Sequence, residues 1–295
     1  MALPSASRLG PALGAARSTA RFVTHDAALL TASVVLAALV LLAILGPFVW
    51  RQDPYAIDVG ASLQAPSWAH PMGTDSVGRD VFARFNKGAG ISLLVGLAVG
   101  AAGALVGSTI GLLSGAIGGL VDAVLMRSMD ALLAFPPLIL AMTVTVGLGV
   151  GLTTAVIGIV LTTIPYYARL LRSDVVRVRS LLFVEAAVAA GATRSRVMVR
   201  HIAPQLLSTF LVQTAAVFGY AILSVAALGF VGLGAQIPTA EWGTMITDGL
   251  SVVLTGGWWI SVFPGIGILL AVTATSVIAD RARDIFDPRG EYFGV

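Results

Sequence analysis

The chain is 295 residues long, with 57% hydrophobic residues, 11% charged residues and a formal net charge of +3. A soluble domain carries about 25% charged residues, so the composition excludes an ordinary soluble enzyme and predicts an all-α, polytopic membrane protein. At about 20 apolar residues per span, the length accommodates roughly six transmembrane helices, and the lack of cysteine excludes disulfides and thiol chemistry while leaving the redox compartment undetermined.

Residues 1–26 form an N-terminal tail, rich at first in Ala, Ser, Gly and Pro and carrying Arg8, Arg17 and Arg21. The first apolar run, 27–50, is longer than a signal-peptide core of about 7–15 residues and has no convincing cleavage site, so it predicts an uncleaved span ending at Trp50. An outer loop follows over 51–90. Within it Thr74-Asp75 predicts the cap of an amphipathic helix from Ser76 to Lys87, with Val77, Val81, Phe82 and Phe85 on one face and Arg79 and Arg84 directed elsewhere. Such a helix would rest on the membrane surface or touch a partner.

Residues 91–280 predict five further membrane helices with a loop at 181–205. The second span, Ile91–Ser114, carries Gly96, Gly100, Gly103, Gly107 and Gly111, with Gly115 just beyond. Spacings of three and four put these glycines on one helical stripe, a ridge that lets backbones approach closely in lipid without saying which helix or subunit is packed. The third span, Leu120–Gly147, opens with Asp122, Arg127 and Asp130. A charge at mid-bilayer costs about 2.5–3.5 kcal/mol on the insertion scale, so these residues should sit near an interface or face protein. Arg127 and Asp130 are spaced to pair at i, i+3, and Pro136-Pro137 predicts a kink.

The fourth span, Leu152–Leu171, ends among Pro165, Tyr166, Tyr167, Arg169 and Arg172. The fifth, Leu206–Leu233, contains Gln213, Thr214, Tyr220 and Ser224, which either line a route or bond across helices. An outer loop spans 234–257, the sixth span runs from Trp258 to Ile278 with Pro264 inside it, and 281–295 form a C-terminal tail. Trp50, Trp242, Trp258 and Trp259 share the proposed outer side, as an aromatic belt requires. Arginines cluster in the N-terminal tail, around the central loop and in the C-terminal tail, so the positive-inside rule places both termini and that loop in the cytoplasm of a cell-membrane protein. The arginines flank membrane segments without aromatic interleaving, which argues against nucleic acid as a partner.

The central loop, Leu181–Gln205, is the sizeable polar and basic segment of the second half. Glu185 to Ala190 is strong helix-forming material; it is broken at Gly191 and followed by Arg194, Arg196, Arg200 and His201. Glu185-Ala186-Ala187, Gly191, Ile202 and Pro204 together resemble the EAA loop of permease subunits in ATP-binding-cassette (ABC) importers, although Ala203 stands where that family usually has leucine. HPMGTDSVGRDVFARFNKGAGISLLVG (70–96), MRSMDALLAFPPLILA (126–141) and GFVGLGAQIPTAEWGTMITDG (229–249) resemble the dipeptide and oligopeptide branch. Gly90 replaces an arginine usual there, so no role of that arginine carries over. The likeness runs from about His70 to Arg289.

This resemblance implies a type I ABC importer permease fold in which the loop docks on an ATPase subunit. Glu185, Ala186, Ala187, Gly191 and Arg194 would then be the coupling residues. It further implies a homologous second permease, two ATPase subunits that bind ATP and Mg, and an extracytoplasmic substrate-binding protein. The implied cargo is a di- or oligopeptide; nickel, glutathione and other small solutes use similar permeases.

The residues supply no bond chemistry of their own. There is no GxxxxGK[ST], and His25, His70 and His201 are dispersed, so no cofactor or metal is expected in this chain and ATP hydrolysis belongs to separate subunits. A self-contained channel or secondary transporter would need ion-coupling acids deep in its spans, whereas the acids here fall in loops or near predicted interfaces. An intramembrane enzyme lacks a catalytic pair. The residues lining a pathway are not identifiable from the pattern alone.

Overall fold

The computed structural model describes residues 26–286. The tail readings over residues 1–25 and 287–295, with Arg8, Arg17, Arg21, His25 and Arg289, therefore lie outside the described residues. The helices are α1 (Ala27–Val49), α2 (Val81–Ile117), α3 (Gly119–Leu133), α4 (Pro137–Leu148), α5 (Leu152–Arg179), α6 (Leu182–Ala189) and α7 (Arg194–Val197). A π-turn over Met198–Ile202 then leads into α8 (Ala203–Phe230), followed by α9 (Trp242–Val253) and α10 (Trp259–Phe286). Among the described residues, five helices are long and apolar enough to cross a membrane, or six if the bent pair α3–α4 counts as one span.

The organising element is α2. Its 37 residues make a rod ~55 Å long, well beyond the ~30 Å hydrocarbon thickness. It packs against α1, α3, α5 and α8 along its length and against α9 and α10 at one end. Around that end the core is built from Val81, Phe85, Ala89, Leu93, Trp242, Met245 and Ile268. A second core at mid-height joins Val95, Val99, Ala155, Ile159, Tyr167 and Val225. Helix α1 is peripheral, touching α2 and α10.

Several expectations are corrected. No helix starts at Ser76. Gly78 takes φ +82°, and a Cβ there would lie 1.7 Å from the Asp58 carbonyl oxygen, so residues 74–80 form a tight turn pressed onto the outer loop. Asp75 closes that turn by accepting from the Val77 and Arg79 amides. The helix begins at Val81, capped by Asp80, whose Oδ1 accepts from the Ala83 amide at 2.6 Å. It then runs without interruption into the second span, because Gly88 and Gly90 stay helical and Gly88 lies against Trp242. The segment is also no surface helix: Val81, Ala83, Phe85 and Asn86 are buried, and so are Arg79 and Arg84.

The two buried arginines are held by acids from different parts of the chain. Arg79 Nε donates to Asp75 Oδ2 at 2.5 Å, and both Arg79 and Arg84 reach Asp248 Oδ2, at 3.5 and 3.4 Å. Arg84 also donates to the carbonyls of Pro54 and Pro238. Burial pushes the Asp248 carboxyl above the ordinary carboxylate range, with Arg84 and Arg79 opposing that shift. Asp80 completes the clamp by accepting from Trp50 Nε1 at 3.2 Å and by meeting His70 Nδ1 at 2.7 Å.

The predicted aromatic belt also changes. Trp242 is fully buried, stacked on Phe85 with its indole N–H donating to the Phe85 carbonyl. Trp259 is buried as well and donates to the Thr74 carbonyl. These are core tryptophans that lock α9 onto α2 and the start of α10 onto the turn preceding α2, leaving Trp258 half exposed. The segment 234–257, expected as a loop, contains α9 because Glu241 caps it, accepting from the Thr244 amide.

The third span is broken: α3 and α4 meet at 89°. Pro136 and Pro137 remove two consecutive amide donors, so the helix restarts with Pro137 in its first turn. Asp130 pairs with Arg169 and Asp122 with Arg172, across to α5, in place of the expected Arg127–Asp130 pair. Helix α5 runs on to Arg179, two turns past the predicted end, and α10 continues through the residues assigned to the start of the C-terminal tail.

Candidate coupling surface

At the end of the molecule opposite the clamp, the 181–205 segment is built on the projecting ends of α2, α5 and α8. Val184 of α6, Val197 of α7 and Ile202 are buried against Val175 and Val178 of α5 and Leu206 of α8. Each such side chain contributes about 1.5–3 kcal/mol when fully buried, so the segment has an anchored apolar side. Arg179 ties it to α2: its guanidinium donates to the carbonyls of Gly115 at 2.7 Å and Ala116 at 3.1 Å. A cation there satisfies carbonyls left open at the helix C-terminus and complements the helix dipole.

Helix α6 stops in a defined way. The Gly191 amide donates to the Val188 carbonyl and the Ala192 amide to the Ala187 carbonyl, the paired pattern of a Schellman turn. Gly191 takes φ +84° with nothing within 4 Å of a Cβ built on it. The glycine is therefore required by the backbone conformation and not by close approach within this chain. Thr193 then caps α7 by accepting from the Arg196 amide.

The opposite side of the segment is open. Glu185, Ala186, Gly191 and Arg194 are exposed and Ala187 is half-buried. Leu182, at 82% exposure, and Val199, at 72%, stand out beside Phe183 and Val188, with Arg196 and Arg200 also exposed. Glu185 makes no ion pair among the described residues. It lines, with Arg179, Arg194, Ile117 and Val188, a groove of about 790 Å³ between the end of α2 and the loop. Exposed apolar side chains rimmed by arginines mark a contact surface. Ile117 and Val199 line the groove and were missed by sequence reasoning, while Arg179, which marks the start of the loop in the sequence, was not among the expected coupling residues.

The glycine stripe lies elsewhere, inside the chain. A Cβ on Gly103 would meet Thr163 Oγ1 at 2.3 Å, one on Gly107 the Ile164 carbonyl oxygen at 2.6 Å, and one on Gly111 the Ala168 carbonyl oxygen at 2.5 Å. These three residues thus seat α2 on α5. Gly96 faces Ile222 and Phe218 of α8, while Gly100 has ordinary room beside Thr214. The packing partners are helices of the same chain.

The described residues thus form an all-α bundle with a broken span and an exposed, basic loop whose first helix ends at a glycine. The family model described as "Binding-protein-dependent transport system inner membrane component" matches residues 107–291, and that described as "N-terminal TM domain of oligopeptide transport permease C" matches residues 16–66. The chain belongs to the binding-protein-dependent transport permeases. It is 44% identical over 235 residues to the dipeptide transport system permease protein DppC of Escherichia coli (strain K12), covering 78% of each chain. It is 42% identical over 259 residues to the protein of the same organism named "Probable D,D-dipeptide transport system permease protein DdpC", covering 88% of this chain and 87% of the relative. The fold is also that of a chain of the MetNI methionine ABC transporter solved in inward-facing conformations, at TM-score 0.55 and 18% identity, covering 68% of this chain and 94% of that one. The permease is thus a multi-pass inner-membrane component of an ABC importer with the type I fold, from a family that is not itself catalytic.

Proposed function

We infer that this permease pairs with a homologous permease subunit and forms with it the route by which di- or oligopeptides enter the cell. In this reading two separate ATPase subunits bind ATP and Mg, an extracytoplasmic binding protein delivers the solute, and both termini and the 181–205 segment lie in the cytoplasm. The observation that carries it is the central segment. One side of this short helix is anchored on α5 and α8, its end is fixed by the Gly191 turn, and its other side presents Leu182, Phe183, Val199 and arginines to solvent. Such a surface suits a cleft on an ATPase, and the platform beneath it passes motion to α2 through Arg179. The peptide cargo is supported by the dipeptide systems named among the relatives; the nickel and glutathione alternatives have no such support here.

The test is the assembled importer in proteoliposomes. Gly191→Asp should leave the chain inserted while solute uptake falls and ATP hydrolysis either escapes stimulation by the binding protein or departs with released ATPase subunits. Wild-type uptake with the ATPases still attached would remove this segment from the coupling role. Orientation is tested separately. The native chain has no cysteine, so Ser62→Cys should react with an impermeant reagent from the extracytoplasmic side; labelling only from the cytoplasm would invert the topology.

A further inference from the structure

Two ion pairs join α3 to α5, and they are built differently. Arg172 meets Asp122 in a forked contact, Nε to Oδ1 at 2.5 Å and Nη2 to Oδ2 at 2.6 Å, and Ser114 adds a hydroxyl donor to the same carboxylate. That carboxylate takes three donors and both of its oxygens are engaged, as suits a structural bridge. Arg169 and Asp130 instead share a single contact, Nη2 to Oδ1, and each side chain is about half exposed, at 52% and 48%. One carboxylate oxygen and several guanidinium N–H groups there are left to the solvent side.

The open pair stands where two grooves meet. One, about 410 Å³, is lined by Asp122, Met126, Asp130, Arg169 and Arg172; the other, about 500 Å³, by Leu133, Tyr166, Arg169, Ser173 and Gln213. Tyr166, Arg169 and Ser173 follow one another at helical spacing on the exposed face of α5. Arg169 is about 17 residues, or ~25 Å, along α5 from Leu152, within reach of the far margin of the hydrocarbon layer. A stripe carrying an arginine, a serine and a tyrosine at that depth suits a protein-facing or water-filled surface better than lipid.

A carboxylate and a guanidinium held side by side but not saturated, next to hydroxyl and amide groups, match the chemistry of a short zwitterion. An ammonium would sit on the free Asp130 oxygen and a carboxylate on the Arg169 fork, with the peptide link beside Gln213, Ser173 and the Tyr166 hydroxyl. Building on the peptide-import reading, we propose that Asp130 and Arg169 form a transient docking station for the two charged ends of a short peptide on its way through the permease. The Asp122–Arg172 bridge holds α3 and α5 together while the open pair exchanges partners.

The test uses the assembled importer in lipid nanodiscs, without the binding protein, carrying Ser173→Cys. The rate at which this cysteine reacts with a small methanethiosulfonate reagent is followed by mass spectrometry of this chain. Millimolar alanylalanine should slow the reaction about fivefold, as expected when ligand exceeds its dissociation constant severalfold. N-acetyl-alanylalanine amide should leave the rate unchanged. Probed with N-acetyl-alanylalanine and with alanylalanine amide, Arg169→Gln should abolish the benefit of a free carboxylate while keeping that of a free ammonium, and Asp130→Asn should do the reverse. Equal slowing by free and doubly blocked peptide, no slowing by either, or identical responses of the two variants to blocking each end would overturn the proposal. Should one variant fail to assemble, the other still reads its own end. Uptake of dipeptide by the wild-type complex in proteoliposomes, with its binding protein, is measured in parallel: uptake without protection sinks the station alone, and absence of dipeptide uptake sinks the cargo reading.

Discussion

The two ends of the bundle use the same kinds of residue to opposite effect. At the α9 end, Arg79 and Arg84 are buried beside Asp75 and Asp248, and two tryptophans sit in the core. At the α6 end, Arg194, Arg196 and Arg200 stand in solvent beside Leu182 and Val199. Buried charges must be paired and hydrogen-bonded, so the first end is committed to one arrangement. Exposed arginines beside apolar side chains carry no such internal obligation and remain available for another surface. The molecule therefore has an internally satisfied end and an end left open.

The strongest way to sharpen this contrast is to disturb the seam between the ends. Gly107→Leu places a large side chain where a Cβ alone would lie 2.6 Å from the Ile164 carbonyl oxygen. Overpacking typically costs 1–3 kcal/mol, and backbone-to-backbone contact puts this site above about 3 kcal/mol. The expected result is failure to accumulate folded chain, read by size-exclusion in detergent. Gly100→Ala, with 3.9 Å of room, serves as the tolerated control.

Next comes the committed end. Arg84→Ala leaves Asp248 and Asp75 short of a partner in a buried site and should cost about 3–5 kcal/mol, seen as a lower midpoint of thermal unfolding. If Arg84→Ala and Arg194→Ala destabilised equally, the contrast between the ends would be lost, since removing an exposed arginine should cost no more than about 1 kcal/mol.

At the open end, Gly191→Ala forces a side chain into the left-handed region without any clash, so the strain is conformational and about 1 kcal/mol. Stability should fall slightly by thermal unfolding, with any larger effect confined to coupled transport.

The smallest effect is the pH dependence expected at Asp248. Its carboxyl is raised by burial, so the folded chain holds that proton more tightly than the unfolded chain. The stability it contributes is full below the ordinary carboxylate pKa of about 3.9 and is lost as pH rises through the raised value. Asp248→Asn keeps an amide oxygen for Arg79 and Arg84 but removes their shared counter-charge, so its cost at neutral pH should stay below that of Arg84→Ala while that part of the pH dependence flattens. A large loss at neutral pH would mean that the ion pairs outweigh the burial cost.

The bundle itself was legible in the sequence because long apolar runs and flanking arginines reflect one strong constraint, the bilayer. The family resemblance was legible through wording that includes Glu185, Gly191 and Pro204. What stayed hidden depends on distant partners. Nothing local to Arg84 announces Asp248, 164 residues away, and Trp242 reads as an interfacial residue until Phe85 is placed beneath it. Asp75 looks like a helix cap, and only the press of Gly78 on Asp58 shows why the helix waits for Asp80. Within the loop, the break at Gly191 was visible, whereas the groove was not, since it needs the end of α2 brought beside Arg194.

The unbroken length of α2 has a mechanical consequence. It carries Arg84 near one tip, and Arg179 grips the carbonyls at the other. The glycine seam, from Gly103 to Gly115, fastens its lower half to α5 over about three turns, so the two helices form a doubled beam. A beam ~55 Å long that pivots ~10° about its middle swings each tip by ~5 Å in opposite senses. On the proposed coupling reading, a push delivered at the arginine-gripped tip would return as a counter-stroke at the other tip, with no relay of side chains between them.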